Sequence, residues 1–269
     1  MDVLYGLHPV EEAIRSGARQ LDRVVVARDR HDDRLQKLLQ LCREAGVRVS
    51  LEPREQLARL AGTDAHQGVL ALAAGRKLLD LEDLLRTPVA AGKYRFLLAL
   101  DGIEDPHNLG ALLRTCDAAG VDGVILPERR SAPISATVAK TSAGASEHVR
   151  VARVTNLVRS LEEAKSRHLW VVGLDERGTV DYTAFDFKTD CVLVLGREGA
   201  GMHELVKRTC DHLVHIPMSG RVSSLNVSVA GAIVMYEAMR QRRIPATPAI
   251  EEQTPQTRKP EKPRKGLGS

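Results

Sequence analysis

Phe96-Leu-Leu-Ala-Leu100 and Cys191-Val-Leu-Val-Leu195 are short stretches that are apolar at every position. Strands with no polar face are what a parallel sheet covered on both sides requires. Further strand-like runs lie at 123–126, 148–151, 169–174 and 212–216, with helical spacing between them at 109–119, 135–143, 156–167 and 202–209. This alternation predicts a mainly parallel α/β sheet with its ligands at the carboxyl ends of the strands. Before residue 75 the pattern is smaller in scale. A helix starts near His8-Pro9, and 21–27 reads as a strand. Leu35, Leu38, Leu39 and Cys42 then sit at helical spacing before Gly46. Strands over 47–51 and 68–73 with a short helix over 56–60 complete an expected three-layer α/β sandwich. His66-Gln67-Gly68 reads as a turn into the last strand. The expected organisation is 1–74 as a first domain, 75–95 as a connector holding one short acidic helix, and 96–243 as a second domain. The tail, 244–269, carries Pro245, Pro248, Pro255, Pro260 and Pro263 with almost nothing large and apolar, and reads as disordered.

Composition changes this picture little, and charge changes it in one place. With 43% hydrophobic and 28% charged residues, the chain matches ordinary globular proteins. No apolar run approaches the length of a membrane span. The first residues lack the basic-then-apolar pattern of a signal peptide, so a cytoplasmic protein is expected. Cys42, Cys116, Cys191 and Cys210 show neither CxxC nor zinc spacing, which points to buried free thiols and to no metal. The net charge of +4 is accounted for by 258–269, where five basic residues face only Glu261. The body is balanced, so any nucleic-acid surface on it has to be local. Arg129, Arg130, Arg150 and Arg153 are the candidates.

Candidate chemistry gathers in three loops that follow strands. After 96–100 comes Asp101-Gly-Ile-Glu-Asp-Pro-His-Asn108-Leu-Gly-Ala-Leu-Leu-Arg114. Asn108 stands where the helix begins. Arg114 is either a surface charge or a fork for phosphate oxygens. After 191–195 comes Gly196-Arg-Glu198-Gly-Ala-Gly201, whose glycines permit close approach of backbone to a ligand. It matches neither GxxxxGK[ST] nor GxGxxG, and Glu198 would repel a pyrophosphate. The third loop is Ile216-Pro-Met218-Ser-Gly-Arg-Val-Ser-Ser224-Leu225-Asn226, leading into a helix-like run. Here Ser224 or Asn226 is either a helix cap or part of a site.

These three motifs, in this order, resemble those of the SpoU/TrmH family, RNA ribose 2′-O-methyltransferases of the SPOUT class. The N-terminal pieces Tyr5-Gly-Leu-His-Pro-Val-Glu-Glu-Ala-Ile and His66-Gln67-Gly68 extend the resemblance. They point to the family's bacterial enzymes that act on a guanosine of 23S rRNA near the peptidyl-transferase centre. The Pro-rich basic tail departs from the family pattern. The resemblance implies a ribosomal-protein-like RNA-binding domain before a catalytic domain that carries a C-terminal trefoil knot and forms a homodimer. It implies S-adenosylmethionine (SAM) as methyl donor, held by backbone near Gly196, Ile216, Met218 and Leu225. It assigns catalysis to Asn108, Arg114, Glu198, Ser224 and Asn226, with Arg114 as activator of the hydroxyl. No histidine lies within the motif segments 108–115, 195–201 and 216–228, and arginine is a poor base. A tRNA or another rRNA site is the alternative substrate. From a different class, the rival is a noncatalytic RNA-binding assembly factor.

Overall fold

The computed structural model describes residues 1–222 and 224–243. Ser223 and the tail expected to be disordered lie outside the described residues. The first lobe is a four-stranded sheet of β1 (Asp2–Tyr5), β2 (Leu21–Ala27), β3 (Val49–Glu52) and β4 (Val69–Ala73), in the order β1-β4-β2-β3. Helices α1 (Leu7–Ser16) and α2 (Asp33–Glu44) cover one face, burying Val10, Ile14, Leu35 and Leu38. Helix α3 (Arg54–Ala61) closes the other through Leu57. The Asp32 carboxylate caps α2 by accepting from the Leu35 N–H at 2.9 Å. His66 and Gln67 form the expected turn: the imidazole Nδ1 accepts from Gly68 N–H at 3.0 Å, and Gln67 takes a left-handed φ of 56°. Strand β1 had no counterpart in the sequence reading. It holds only four residues, and its partner β4 lies far along the chain.

The second lobe is one seven-stranded sheet. Its strands are β5 (Phe96–Leu100), β6 (Gly123–Pro127), β7 (Val151–Val154), β8 (Trp170–Leu174), β9 (Val180–Asp181), β10 (Cys191–Leu195) and β11 (His212–His215). They run in the order β7-β6-β5-β10-β8-β11-β9, and every pair is parallel. Both all-apolar stretches are central strands, adjacent and fully buried. Their alternating side chains feed two cores. One lies under α5 (Pro106–Ala119) and α9 (Val227–Arg243). The other lies under α4 (Leu81–Arg86), α7 (Leu157–Ser166) and α8 (Glu204–Thr209). The chain winds outward from β5 through β6 to β7, then crosses to β8 and returns through β10. Strand order therefore reverses at the β5/β10 pair, which makes the crevice beyond their carboxyl ends the natural ligand site.

Two sequence expectations shift. The strand expected over 148–151 is displaced to 151–154, because a 3-10 turn, Ala145–Glu147, occupies the approach. Ala143 and Gly144, both at positive φ, turn the chain back after α6 (Ala136–Thr141), and Ser142 Oγ accepts from Ser146 N–H at 3.2 Å. Within the expected connector, Leu81, Leu84 and Leu85 are buried in the second core and Leu79 bridges to Ala152. The four cysteines are free. Burial pushes the Cys191 and Cys210 thiols up to about 12, so neither is a nucleophile near neutral pH.

The lobes meet through packing, with Ala139 of α6 in the first lobe's core, and through charge. The Arg19 guanidinium forks onto Glu147, Nε to Oε2 at 2.8 Å and Nη2 to Oε1 at 3.0 Å, both side chains being buried. A third bond runs from Arg19 Nη1 to Asp2 Oδ2 at 3.0 Å. Beside it, His148 Nε2 and Glu12 Oε2 lie 2.8 Å apart. Burial pushes the Glu12 carboxyl up, but bonds from His148 and Arg15 outweigh it and hold the group below the usual range. Among the described residues no helix is long and apolar enough to cross a membrane.

Candidate active site

Asp105 ends the loop after β5 and caps α5, accepting from His107 N–H at 3.0 Å and Asn108 N–H at 3.3 Å, with Pro106 opening the helix. The cap places Asn108 on the first turn, above the β5/β10 crevice. Its Nδ2 donates to Glu198 Oε2 at 3.2 Å. From the start of α9, Asn226 Nδ2 donates to Asn108 Oδ1 at 3.0 Å and lies 3.4 Å from both Glu198 oxygens. One residue from each loop thus meets in a single network, in which two neutral amides ring one carboxylate. The cap reading of Asn226 holds, since its Oδ1 accepts from Ser228 N–H at 2.9 Å and so caps α9, while its Nδ2 joins the network.

The loop carrying Glu198 is a tight hairpin. Arg197 and Gly201 exchange backbone bonds of 3.0 and 2.9 Å. A Cβ on Gly196 would lie 2.2 Å from Met202 N, inside hard contact, so no other residue fits there. This hairpin, the end of β8 and residues from the stretch 215–222 with Ser224 and Leu225 enclose a cleft of about 790 Å³. Gly196, Glu198, Ile216, Met218, Ser224 and Leu225 all line it. At its mouth Met218 is 41% and Val222 69% exposed, apolar surface that a ligand would cover. Asp175 and Lys207, which the sequence reading missed, pair across the lining at 2.8 Å. Burial raises the Asp175 carboxyl, but the Lys207 ammonium and neighbouring donors leave it lowered on balance.

Arg114 is not in this group. Six residues beyond Asn108 correspond to about 9 Å along the helix and about 120° around it. The exposed guanidinium lines a separate hollow of about 500 Å³ at the lobe junction, with Glu12, Asp117, Ser142 and His148. Within one chain, therefore, Glu198 does not orient Arg114. The four candidate surface arginines also divide. Arg129 and Arg130 follow the carboxyl end of β6, and Arg153 reaches back to the Glu128 carbonyl at 3.5 Å, whereas Arg150 precedes β7 at the opposite end of the sheet. The sequence reading further missed His203, one residue beyond Met202. Asp101, the first residue after the apolar strand β5, is buried and holds it. A lone acid closing a strand of the central pair was the available signal.

A SAM-sized ligand fits this cleft on three counts. Its volume is within the roughly 300–1,000 Å³ usual for small-molecule sites. The Gly196 hairpin brings main chain to its wall, and a carboxylate stands at its rim.

The SpoU rRNA Methylase family matches residues 95–236, and the RNA 2′-O ribose methyltransferase substrate-binding family matches 3–78. The 23S rRNA (guanosine-2′-O-)-methyltransferase RlmB of Ralstonia nicotianae is 46% identical over 243 residues, 90% of this chain and 96% of its own. A Bacillus subtilis protein, YacO, named for the TrmH family of tRNA/rRNA methyltransferases, is 42% identical over 90% of this chain and 96% of its own. The crystal structure of the SpoU methyltransferase AviRb from Streptomyces viridochromogenes in complex with AdoMet superposes with a TM-score of 0.74 at 26% identity. It covers 89% of this chain and 90% of that one.

Proposed function

The chain belongs to the SpoU rRNA methylase family and is a SAM-dependent RNA 2′-O-methyltransferase; from that premise we propose that its substrate is a guanosine ribose of 23S rRNA near the peptidyl-transferase centre. The meeting of Asn108, Glu198 and Asn226 at the rim of the cleft carries the reading for this site. Likeness over both lobes to an enzyme named for 23S rRNA guanosine supports the substrate. Main chain at Gly196, Ile216, Met218 and Leu225 would hold the donor. When bound there, SAM supplies a methyl group on a cationic sulfur to the ribose oxygen.

The residues of the chain then have three tasks. The 2′-hydroxyl is a weak nucleophile that must be placed in line and lose its proton. Asn108 and Asn226 fix the Glu198 carboxylate at the rim, where it is placed to take that proton onward. Arg114 positions an RNA phosphate and the hydroxyl through its fork, and Ser224 contacts the ribose. Because Arg114 is remote from the other four in its own chain, we place it in the site of a partner, within a homodimer of catalytic lobes. The reading includes threading of the β11–α9 segment as a trefoil knot, and selection of RNA by residues 1–74. A cut that isolates catalysis belongs before α4, whose leucines are part of the second core.

The test is transfer of labelled methyl from SAM to rRNA and tRNA, followed by nucleoside mapping. Label on 2′-O-methylguanosine of 23S rRNA is expected. Label on tRNA alone would favour the breadth in the name of the Bacillus subtilis relative, and label on a base would end the proposal.

A further inference from the structure

Beyond the three motifs, a second polar network crosses the same end of the sheet. Asp101 at the end of β5 is 5% exposed and gives both oxygens to His203, Oδ2 to the backbone N–H at 2.6 Å and Oδ1 to ring Nδ1 at 2.8 Å. On the other side of the ring, Nε2 lies 3.2 Å from Arg130 Nη1. Arginine can only donate, so Nε2 accepts and the proton of the neutral imidazole sits on Nδ1, facing the carboxylate. Three loops that leave β5, β6 and β10 are thereby joined: Asp101, Arg130 and His203.

The chemistry of this chain of bonds is selective. A carboxylate beside Arg130 would orient the guanidinium and also cancel its charge. A neutral imidazole orients it and leaves the charge intact. Among the described residues Arg130 pairs with no carboxylate, and its side chain is exposed. Its backbone is held at φ 56°, a left-handed conformation uncommon for a residue with a Cβ. The same loop is tied to the one after β5, Ala132 N–H donating to Ile103 O at 2.8 Å. Arg129 is exposed beside it. A pre-placed, uncancelled guanidinium next to the site of an RNA enzyme suits a phosphodiester oxygen.

We propose that Arg130 binds a backbone phosphate of the RNA substrate at the rim of the active site, and that Asp101 and His203 are positioning residues that aim it. The inference rests on the RNA methyltransferase reading. Arg130→Ala should raise KM for rRNA about tenfold, the scale of one charge-assisted bond, and leave SAM affinity and kcat at saturating RNA nearly unchanged. The slope of log KM against log salt should fall by about 0.7–0.9, one phosphate contact. Arg130→Lys should restore the slope but only part of KM. His203→Ala should raise KM less and add almost nothing in the Arg130→Ala background. His203→Gln, whose amide oxygen reaches the Nε2 position, should recover most of the loss. An unchanged KM and salt slope in Arg130→Ala, with the parent active, would overturn the proposal alone. Absence of methyl transfer by the parent would instead overturn the functional reading. Additive effects of the Arg130 and His203 changes would overturn the positioning role.

Discussion

Asn226 caps α9 with its Oδ1 and holds Asn108 and Glu198 with its Nδ2, and substitutions can separate the two. Asn226→Asp keeps the oxygen that caps α9, so thermal melting should hold near that of the parent. It also sets a second carboxylate against Glu198, so single-turnover methylation should collapse. Asn226→Ala should lose the rate and about 1 kcal/mol of stability as well, through the missing cap. A melting loss without a rate loss in either variant would return Asn226 to a purely structural role. Arg114 is exposed and makes no side-chain bond among the described residues, so Arg114→Ala should cost at most about 0.5 kcal/mol of stability. Turnover should nonetheless fall steeply with SAM affinity kept, since a contact confined to the transition state shows in kcat. Lys at this position lacks the planar fork and should rescue poorly. Near-normal single-turnover rates for Arg114→Ala would remove it from the mechanism.

Among the elements, the junction of the lobes is the feature most exposed to a single change. Arg19→Met leaves the Glu147 carboxylate buried without its fork, a loss of about 3–5 kcal/mol in urea unfolding. Arg76 is half-buried, feels the Glu147 charge and has a buried, unbonded Nη1, so its guanidinium should hold the loss toward the low end. Replacing both partners, Arg19→Met with Glu147→Leu, should cost much less, because no charge is stranded. An equal loss in the single and double variants would show that packing, not the ion pair, joins the lobes there. None of this was legible in the sequence, where Arg19 and Glu147 stand 128 residues apart. Local signals were legible. The strands 96–100 and 191–195 were found from their unbroken apolar runs, and α5 from its helical spacing over 109–119, although the Asp105 cap and Pro106 start the helix three residues earlier than that spacing showed. Asn108, Glu198 and Asn226 were visible as motif residues, but not their bonds to each other, which cross three loops. The 3-10 turn before β7 was missed because its cause, glycine geometry and a distant arginine, leaves no periodic trace.

At the scale of the whole molecule, the two hollows matter most. One chain places Glu198 and Ser224 at one cleft, with Asn108 and Asn226 bonded beside Glu198, and Arg114 at another. If a working centre needs both, inheritance of activity follows rules that no single chain obeys. Mix Arg114→Ala subunits with Glu198→Ala subunits, each inactive alone, and let them exchange. Half of the resulting pairs are mixed, and in each mixed pair one centre receives Arg114 and Glu198 intact while the other lacks both. About a quarter of parental turnover should return, by counting centres in a two-fold pair. A mixture that stays silent after verified exchange would place every catalytic group on one chain. The same arithmetic extends to a cell carrying two damaged copies of the gene: lesions in different hollows complement, and lesions in the same hollow do not.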